Sequence, residues 1–134
     1  CYGGPDAPDL REVSERTGLA VDEVIARHTA PEYRVAMLGF LPGFPYLMGL
    51  DPRLVVARKL TPRVRVPAGS VAIGGSQTGI YPCESPGGWQ LIGRTAAVLF
   101  DARSRPPALF CPGDRVRFRP ISAEELPLAK VQIQ

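Results

Sequence analysis

The spacing of apolar residues changes near Tyr33. Before it, Leu10 and Val13 recur at helical spacing and Gly18 marks a stop, which predicts a short helix from about Asp9 to Thr17 with Asp6 or the Pro8-Asp9 pair placed to start it. Val21, Val24 and Ile25 share a face at i, i+3, i+4 spacing and predict a second helix over Val21 to Arg27. The opening Gly3-Gly4-Pro5-Asp6-Ala7-Pro8 suits neither a helix nor a ladder and reads as a linker. From Tyr33 onward, prolines at 42, 45, 52, 62, 67, 82 and 86 would break any sustained helix. Short β-type runs take over at Tyr33 to Leu38, Ser70 to Ile73, Gly79 to Tyr81, Trp89 to Ile92, Ala97 to Phe100 and Arg115 to Arg119. In the last, Val116 and Phe118 alternate with arginines behind a Pro112-Gly113-Asp114 turn, which puts the two apolar residues on the core face. Many short strands with Gly/Pro turns imply a mainly β domain, a small barrel or sandwich, with two short N-terminal helices.

At 134 residues the chain suits one domain able to bury a core without staples. We divide it into linker and short helices over 1–30, the β unit over 31–122 and a tail over 123–134. No apolar stretch is long enough for a signal or membrane helix, and the Cys1 start followed by Tyr2-Gly3-Gly4 reads as a domain cut from a longer chain. Cys1, Cys83 and Cys111 are odd in number and widely spaced, which suits a reducing, cytoplasmic compartment.

The net charge of +3 hides an asymmetry. From Pro52 to Cys83 there is no acid, while Arg53, Arg58, Lys59, Arg63 and Arg65 supply five positive charges; Cys1 to Glu32 holds seven acids against three arginines. The basic stretch reads either as an anion-binding patch or as a strand edge protected by charge.

His28 is the one side chain whose ordinary pKa lies near neutrality. Placed after a helical segment, it would have its pKa raised by the helix C-terminus; its structural alternative is to donate to a backbone carbonyl where the helix passes into the first strand. With one histidine and no metal-ligand spacing, no metal site is expected. Cys83 has the right chemistry for a nucleophile but reads better as an inert loop residue, and no Gly-x-Ser-x-Gly elbow is present. Gly74-Gly75-Ser76-Gln77-Thr78-Gly79 lacks the Gly-Lys-Ser/Thr ending of a phosphate loop and reads as a Gly-rich hairpin bend. Gln77 and Tyr81 can orient a polar ligand without charge. Phe40, Phe44, Tyr46, Tyr81 and Trp89 sit beside Gly or Pro, as aromatics lining a pocket or an interface often do. Arg63 and Arg94 stand in contexts that hold a guanidinium, which can fork two hydrogen bonds to carboxylate or phosphate.

Four strings carry a family likeness: Gly39-Phe40-Leu41-Pro42-Gly43-Phe44-Pro45-Tyr46-Leu47, Val66-Pro67-Ala68-Gly69-Ser70-Val71, Gln77-Thr78-Gly79-Ile80-Tyr81-Pro82 and Ser85-Pro86-Gly87-Gly88-Trp89. With Tyr2-Gly3-Gly4, Pro8-Asp9-Leu10, Thr17-Gly18-Leu19, His28-Thr29, Tyr33 and Arg115-Val116-Arg117-Phe118, they cover almost the whole chain. In this order they resemble the allophanate hydrolase subunit 1 family, which includes the B subunit of 5-oxoprolinase and the histidine-kinase inhibitor KipI.

The resemblance implies a C-terminal, cyclophilin-like β-barrel, preceded in the family by a smaller domain. It implies work in a complex with an A-type subunit and a cyclophilin-like C-type subunit, which together use ATP to open 5-oxoproline to glutamate. Alternatives within the family are an inhibitor that binds a histidine kinase and blocks its autophosphorylation, and allophanate hydrolase subunit 1 of a urea-degrading system. Residue chemistry then assigns His28 as general acid/base with Arg63 and Arg94 at the reacting anion, and Phe40, Arg58, Gln77, Tyr81 and Trp89 around the substrate. Pro42, Phe44 and Tyr46 form the expected partner interface. No nucleotide motif stands in this chain, so ATP is expected to be held elsewhere in the complex and the isolated domain to be inactive. No nucleic acid or membrane partner is expected. The site residues His28, Arg63, Gln77, Tyr81 and Arg94 are expected to converge on one concave face walled by Phe40, Phe44 and Trp89.

Overall fold

The computed structural model describes residues 1–132, so residues 133 and 134 of the expected tail lie outside the described residues. Two helices, α1 (Leu10–Thr17) and α2 (Val21–Thr29), precede eight strands: β1 (Tyr33–Leu38), β2 (Pro45–Met48), β3 (Arg63–Val66), β4 (Ser70–Gly74), β5 (Gln77–Ile80), β6 (Ser85–Gly87), β7 (Gln90–Arg94) and β8 (Arg115–Val116). Helix α1 stops as its sequence predicts: Gly18 takes φ 73°, a left-handed value that costs glycine nothing, and its N–H returns to Ser14 O. Helix α2 runs two residues past the predicted Arg27.

The strands form an antiparallel six-stranded sheet in the order β7-β4-β5-β2-β1-β8 and a separate two-stranded ribbon, β3-β6. Strands β7 and β8 stand at its two ends, and among the described residues the strand pairing does not close the expected barrel into a ring. The antiparallel, mainly β class stands. Strand β2 has no clear signal in the sequence, because Gly and Pro surround it; Pro45 is tolerated as its first residue. Conversely, Ala97 to Phe100 makes only an isolated bridge, Phe100 to Ala108, and the Arg115 to Arg119 run pairs over two residues. β-propensity alone does not make a strand when no partner lies alongside.

Both faces of the sheet are buried at β4, whose five residues are all buried. On the first face, Val35, Leu47, Val71, Ile73, Ile80 and Ile92 pack with Leu10, Val13 and Val24 from the helices and Leu19 between them. On the second, Ala72 and Leu91 pack with Phe44, Val66, Tyr81 and Trp89 in a separate cluster. Burying each such side chain contributes about 1.5–3 kcal/mol, so the two-sided sheet supplies most of the fold's driving force.

Candidate functional site

The second-face cluster is an aromatic nest built around Phe44. Its ring lies 5.0–5.5 Å from those of Phe40, Tyr46, Tyr81 and Trp89, mostly edge to face. Trp89 also meets Tyr46 at 5.9 Å, and Phe40 meets Tyr81 at 6.3 Å. Edge-to-face contacts align the positive ring edge with a negative face, so these rings hold one another in fixed orientations. Glycines make the room. A β-carbon at Gly79 would stand 2.8 Å from the Phe44 ring, one at Gly74 would overlap the Trp89 indole, and one at Gly87 would overlap the Tyr81 phenol. The Gly-rich Gly74 to Gly79 run is therefore a β4–β5 hairpin, with Gly74 paired to Gln77, whose strands pass beneath the rings.

The loop between β1 and β2 carries Phe40 to this surface. Gly39 N–H bonds Phe44 O at 3.2 Å and Phe44 N–H bonds Leu41 O at 3.0 Å, closing the loop on itself. Among the described residues Phe40 is the one non-glycine with positive φ, 65°, and it is 62% exposed. A left-handed aromatic costs about 1 kcal/mol and persists where the surroundings impose it, a pattern concentrated at working surfaces. Arg58, exposed, lies over Trp89 with its guanidinium carbon 5.7 Å from the ring centroid, a cation–π contact that holds the charge over the nest. Burial raises the Tyr81 pKa, partly offset by the Trp89 backbone N–H and by the charges of Arg58 and Arg63.

These positions revise the sequence expectations. Phe40, Phe44, Tyr46, Tyr81, Trp89 and Arg58 do come together, with Phe40, Tyr46 and Arg58 reaching solvent and Phe44, Tyr81 and Trp89 forming a buried floor. Phe44, 1% exposed, is the keystone of the nest and cannot be the partner contact expected of it; Pro42 remains exposed on the same loop. Gln77 lies alongside at the end of β5, its amide nitrogen 3.6 Å from Met48 Sδ.

His28, Arg63 and Arg94 are elsewhere, so the single shared concave face is corrected. His28 is fully buried on the helix side of the sheet. Thr78 donates its hydroxyl to Ala72 O at 2.7 Å, so toward His28 Nε2, at 2.9 Å, it accepts; Nδ1 is then the bare nitrogen that accepts from the Tyr2 hydroxyl at 2.5 Å. Burial pushes the His28 pKa down to about 3, the reverse of the rise expected from the helix end. A neutral ring with both nitrogens engaged in the core is a structural tie between α2, β5 and the N-terminal segment, and this replaces its expected general acid/base role. The carbonyl of His28 in turn accepts from Tyr33 Oη at 2.6 Å.

Arg63 forks onto Asp9, Nη1 to Oδ2 at 2.6 Å and Nη2 to Oδ1 at 2.7 Å. Lys59 Nζ adds a bond to Oδ1 at 3.1 Å and the Leu91 N–H one to Oδ2 at 2.7 Å. Burial opposes ionisation of this carboxyl, but the bonds from Arg63, Leu91 N–H and Lys59 outweigh it and hold its pKa below the usual carboxylate range. The sequence marks Asp9 only as part of a helix start; its carboxylate makes no cap bond and is instead the hub joining α1 to β3 and β7. Nothing in its local sequence signals this, because its side-chain partners lie 50 or more residues away. Arg94 donates to Ala68 O and to Asp6 Oδ1, at 3.1 and 3.3 Å. The two arginines thus tie the N-terminal segment to the ribbon and to the sheet. Of the basic stretch, Lys59 and Arg63 are neutralised by Asp9, and Arg65 faces Glu84 at 3.8 Å on a bulged edge opposite Pro86, which favours the charged-edge reading there. Arg58, unlike Arg63 and Arg94, has no carboxylate within ion-pair distance among the described residues.

With this geometry in place, comparison with known proteins identifies the class. The family model of the carboxyltransferase domain, subdomain C and D, matches residues 1–110, and the chain belongs to this family. It is 52% identical over 125 residues to the B subunit of 5-oxoprolinase from Bacillus subtilis, covering 93% of this chain and 52% of the relative. It is 51% identical over 117 residues to the corresponding 5-oxoprolinase B subunit of Haemophilus influenzae, covering 87% and 55%. A more distant relative is the urea amidolyase of Saccharomyces cerevisiae, 37% identical over 122 residues, 85% of this chain and 7% of that protein. The crystal structure of PH0987 from Pyrococcus horikoshii superposes with a TM-score of 0.91 at 51% identity, covering 94% of this chain and 58% of that one. The chain spans about half the length of the 5-oxoprolinase B subunits it matches.

Proposed function

We propose that this chain acts within a 5-oxoprolinase, as part of the B subunit, and opens 5-oxoproline to glutamate together with A-type and C-type subunits, in the cytoplasm and at the expense of ATP. The observation that carries the reading is identity above 50% to 5-oxoprolinase B subunits along nearly the whole chain. The exposed rim of the aromatic nest supports it. 5-Oxoproline is a small planar lactam bearing a carboxylate; Arg58, fixed over Trp89, offers an unneutralised guanidinium, and Phe40 with Tyr46 offers ring edges on the same aromatic cluster. Gln77, whose amide nitrogen meets Met48 Sδ on β2, is assigned to orient the lactam amide. Tyr81, Trp89 and Phe44 act by holding these groups.

The Gly-rich run of this chain does not form a phosphate loop. It is spent as a hairpin under the Trp89 ring, and no group of three His, Cys, Asp or Glu among the described residues could hold a metal ion. We assign ATP to a partner and expect the chain alone to be inactive. The test is reconstitution: ATP-dependent glutamate release is expected from the chain combined with both partner proteins, and from neither the chain alone nor the mixture containing Arg58→Met. Turnover by the purified chain would refute the division of labour, and full activity of Arg58→Met would refute the site. Likeness to urea amidolyase favours a second reading, allophanate hydrolase subunit 1, at lower identity; release of ammonia from allophanate by the same mixture would select it. Recovery of a histidine kinase with the chain from its host would select the inhibitor reading.

A further inference from the structure

The second sheet face is covered by the ribbon and the nest on its β7-β4 side and open on its β2-β1-β8 side. Tyr33 and Val35 of β1 point into the helix-side core, so Arg34 between them points out. In the ladder Arg34 lies opposite Arg115 of β8 on one side and Met48 of β2 on the other. Met48 is 50% exposed, and Met37, opposite the half-buried Tyr46, is 51% exposed. The open face thus runs from the arginines through the methionines to Tyr46 and Phe40 at the rim of the nest.

Two arginines directly opposite on adjacent strands repel each other, and such like-charge pairs destabilise a ladder. The nearby acid is Glu32, but it is shared: Arg115 Nε is 3.6 Å and Arg117 Nη2 3.4 Å from its carboxylate, and Arg34 has no carboxylate within ion-pair distance among the described residues. Methionines on the same face are unbranched and polarizable, suited to packing against a surface they are not locked to. Repulsion retained beside exposed apolar side chains is relieved by an anionic surface that brings its own apolar contacts. A second copy of the chain does not supply this, because a two-fold contact would set the same cations against themselves.

We propose that the open face formed by Arg34, Arg115, Met48, Met37 and Tyr46 docks a folded partner protein through a patch of carboxylates ringed by apolar side chains. Resting on the reading above, this partner is one of the other subunits of the 5-oxoprolinase assembly. The face adjoins Phe40 and Gln77, so docking there would bring the partner's groups to the candidate substrate site.

The test uses the full chain with the purified A-type and C-type proteins, each titrated separately by calorimetry at low and high salt. The wild-type chain is expected to bind one of them, with affinity falling at least tenfold as the salt rises. Arg34→Glu is expected to weaken that binding at least tenfold while leaving thermal stability equal or higher, since the introduced carboxylate would face Arg115 as an opposite charge. Met48→Glu is expected to weaken it as well. Binding by Arg34→Glu and Met48→Glu within threefold of wild type would overturn the assignment of this face and leave the multi-subunit reading standing. Failure of the wild-type chain to bind either protein would overturn both. Self-association of the chain abolished by Arg34→Glu would give the face to a second copy and overturn the proposal.

Discussion

Replacing His28 tests the logic of the helix-side core most directly. The unfolded chain takes a proton on this ring near the ordinary value of about 6.5, whereas the folded chain does so only at about 3. Because the folded pKa is depressed, the unfolded state binds more protons between these values. The stability that the neutral ring contributes is complete above about pH 6.5 and is lost as pH falls toward the folded pKa. The loss is about 2 kcal/mol at pH 5 and approaches about 5 kcal/mol at the acid end of the window. Few carboxylates titrate between about pH 5 and 7, so the slope there reports the imidazole. His28→Gln removes that titration; it is expected to lower stability by about 2–3 kcal/mol at neutral pH, through lost bonds to Tyr2 and Thr78, and to flatten the dependence between pH 7 and 5. Urea unfolding followed by emission of Trp89, the single tryptophan, measures both, and proton NMR of the single histidine reads its ionisation without assignment. Equal losses for wild type and variant between pH 7 and 5, or a His28 resonance titrating near pH 6.5, would refute the reasoning.

Asp9→Asn removes a carboxylate held by Arg63 and Lys59, and is expected to cost about 3 kcal/mol at neutral pH. Since the folded pKa of Asp9 is depressed, its contribution is present above about pH 3.9 and is lost as pH falls through the folded value, so the melting curves of wild type and variant should converge in acid. Gly74→Ala puts a β-carbon into the space of the Trp89 indole and should destabilise by about 1–3 kcal/mol with a red shift of tryptophan emission; unchanged emission and melting would deny the glycine its role as a seat for the ring. Phe40→Gly relieves the left-handed backbone, offsetting part of its lost ring contacts, and should leave stability within about 1 kcal/mol of wild type while lowering turnover of the reconstituted complex, measured side by side.

What the sequence by itself determined is what short-range physics controls. Helical spacing and Gly18 placed α1 and α2 to within about two residues at their ends, and β1 spans the predicted Tyr33–Leu38. Backbone freedom at Gly75, φ 61°, made the β4–β5 hairpin legible, and the aromatics set beside Gly and Pro lie together in one cluster. Tertiary structure decided the rest, because a ladder exists only where a partner strand lies alongside: Pro45–Met48 pairs with β1 and β5, while Ala97 to Phe100 finds no neighbour beyond one bridge. Depth was invisible as well. Phe40 and Phe44 stand in one loop, yet one is 62% and the other 1% exposed, since only Phe44 drops into the hollow above Gly79. The same holds for charge: Arg63 and Arg58 look alike in the chain, but Asp9, 54 residues from Arg63, neutralises one and leaves the other poised over Trp89. Ion pairing and burial depend on distances across the fold that sequence spacing does not encode, and these distances turned His28, Arg63 and Arg94 from expected catalysts into the ties that hold the domain together.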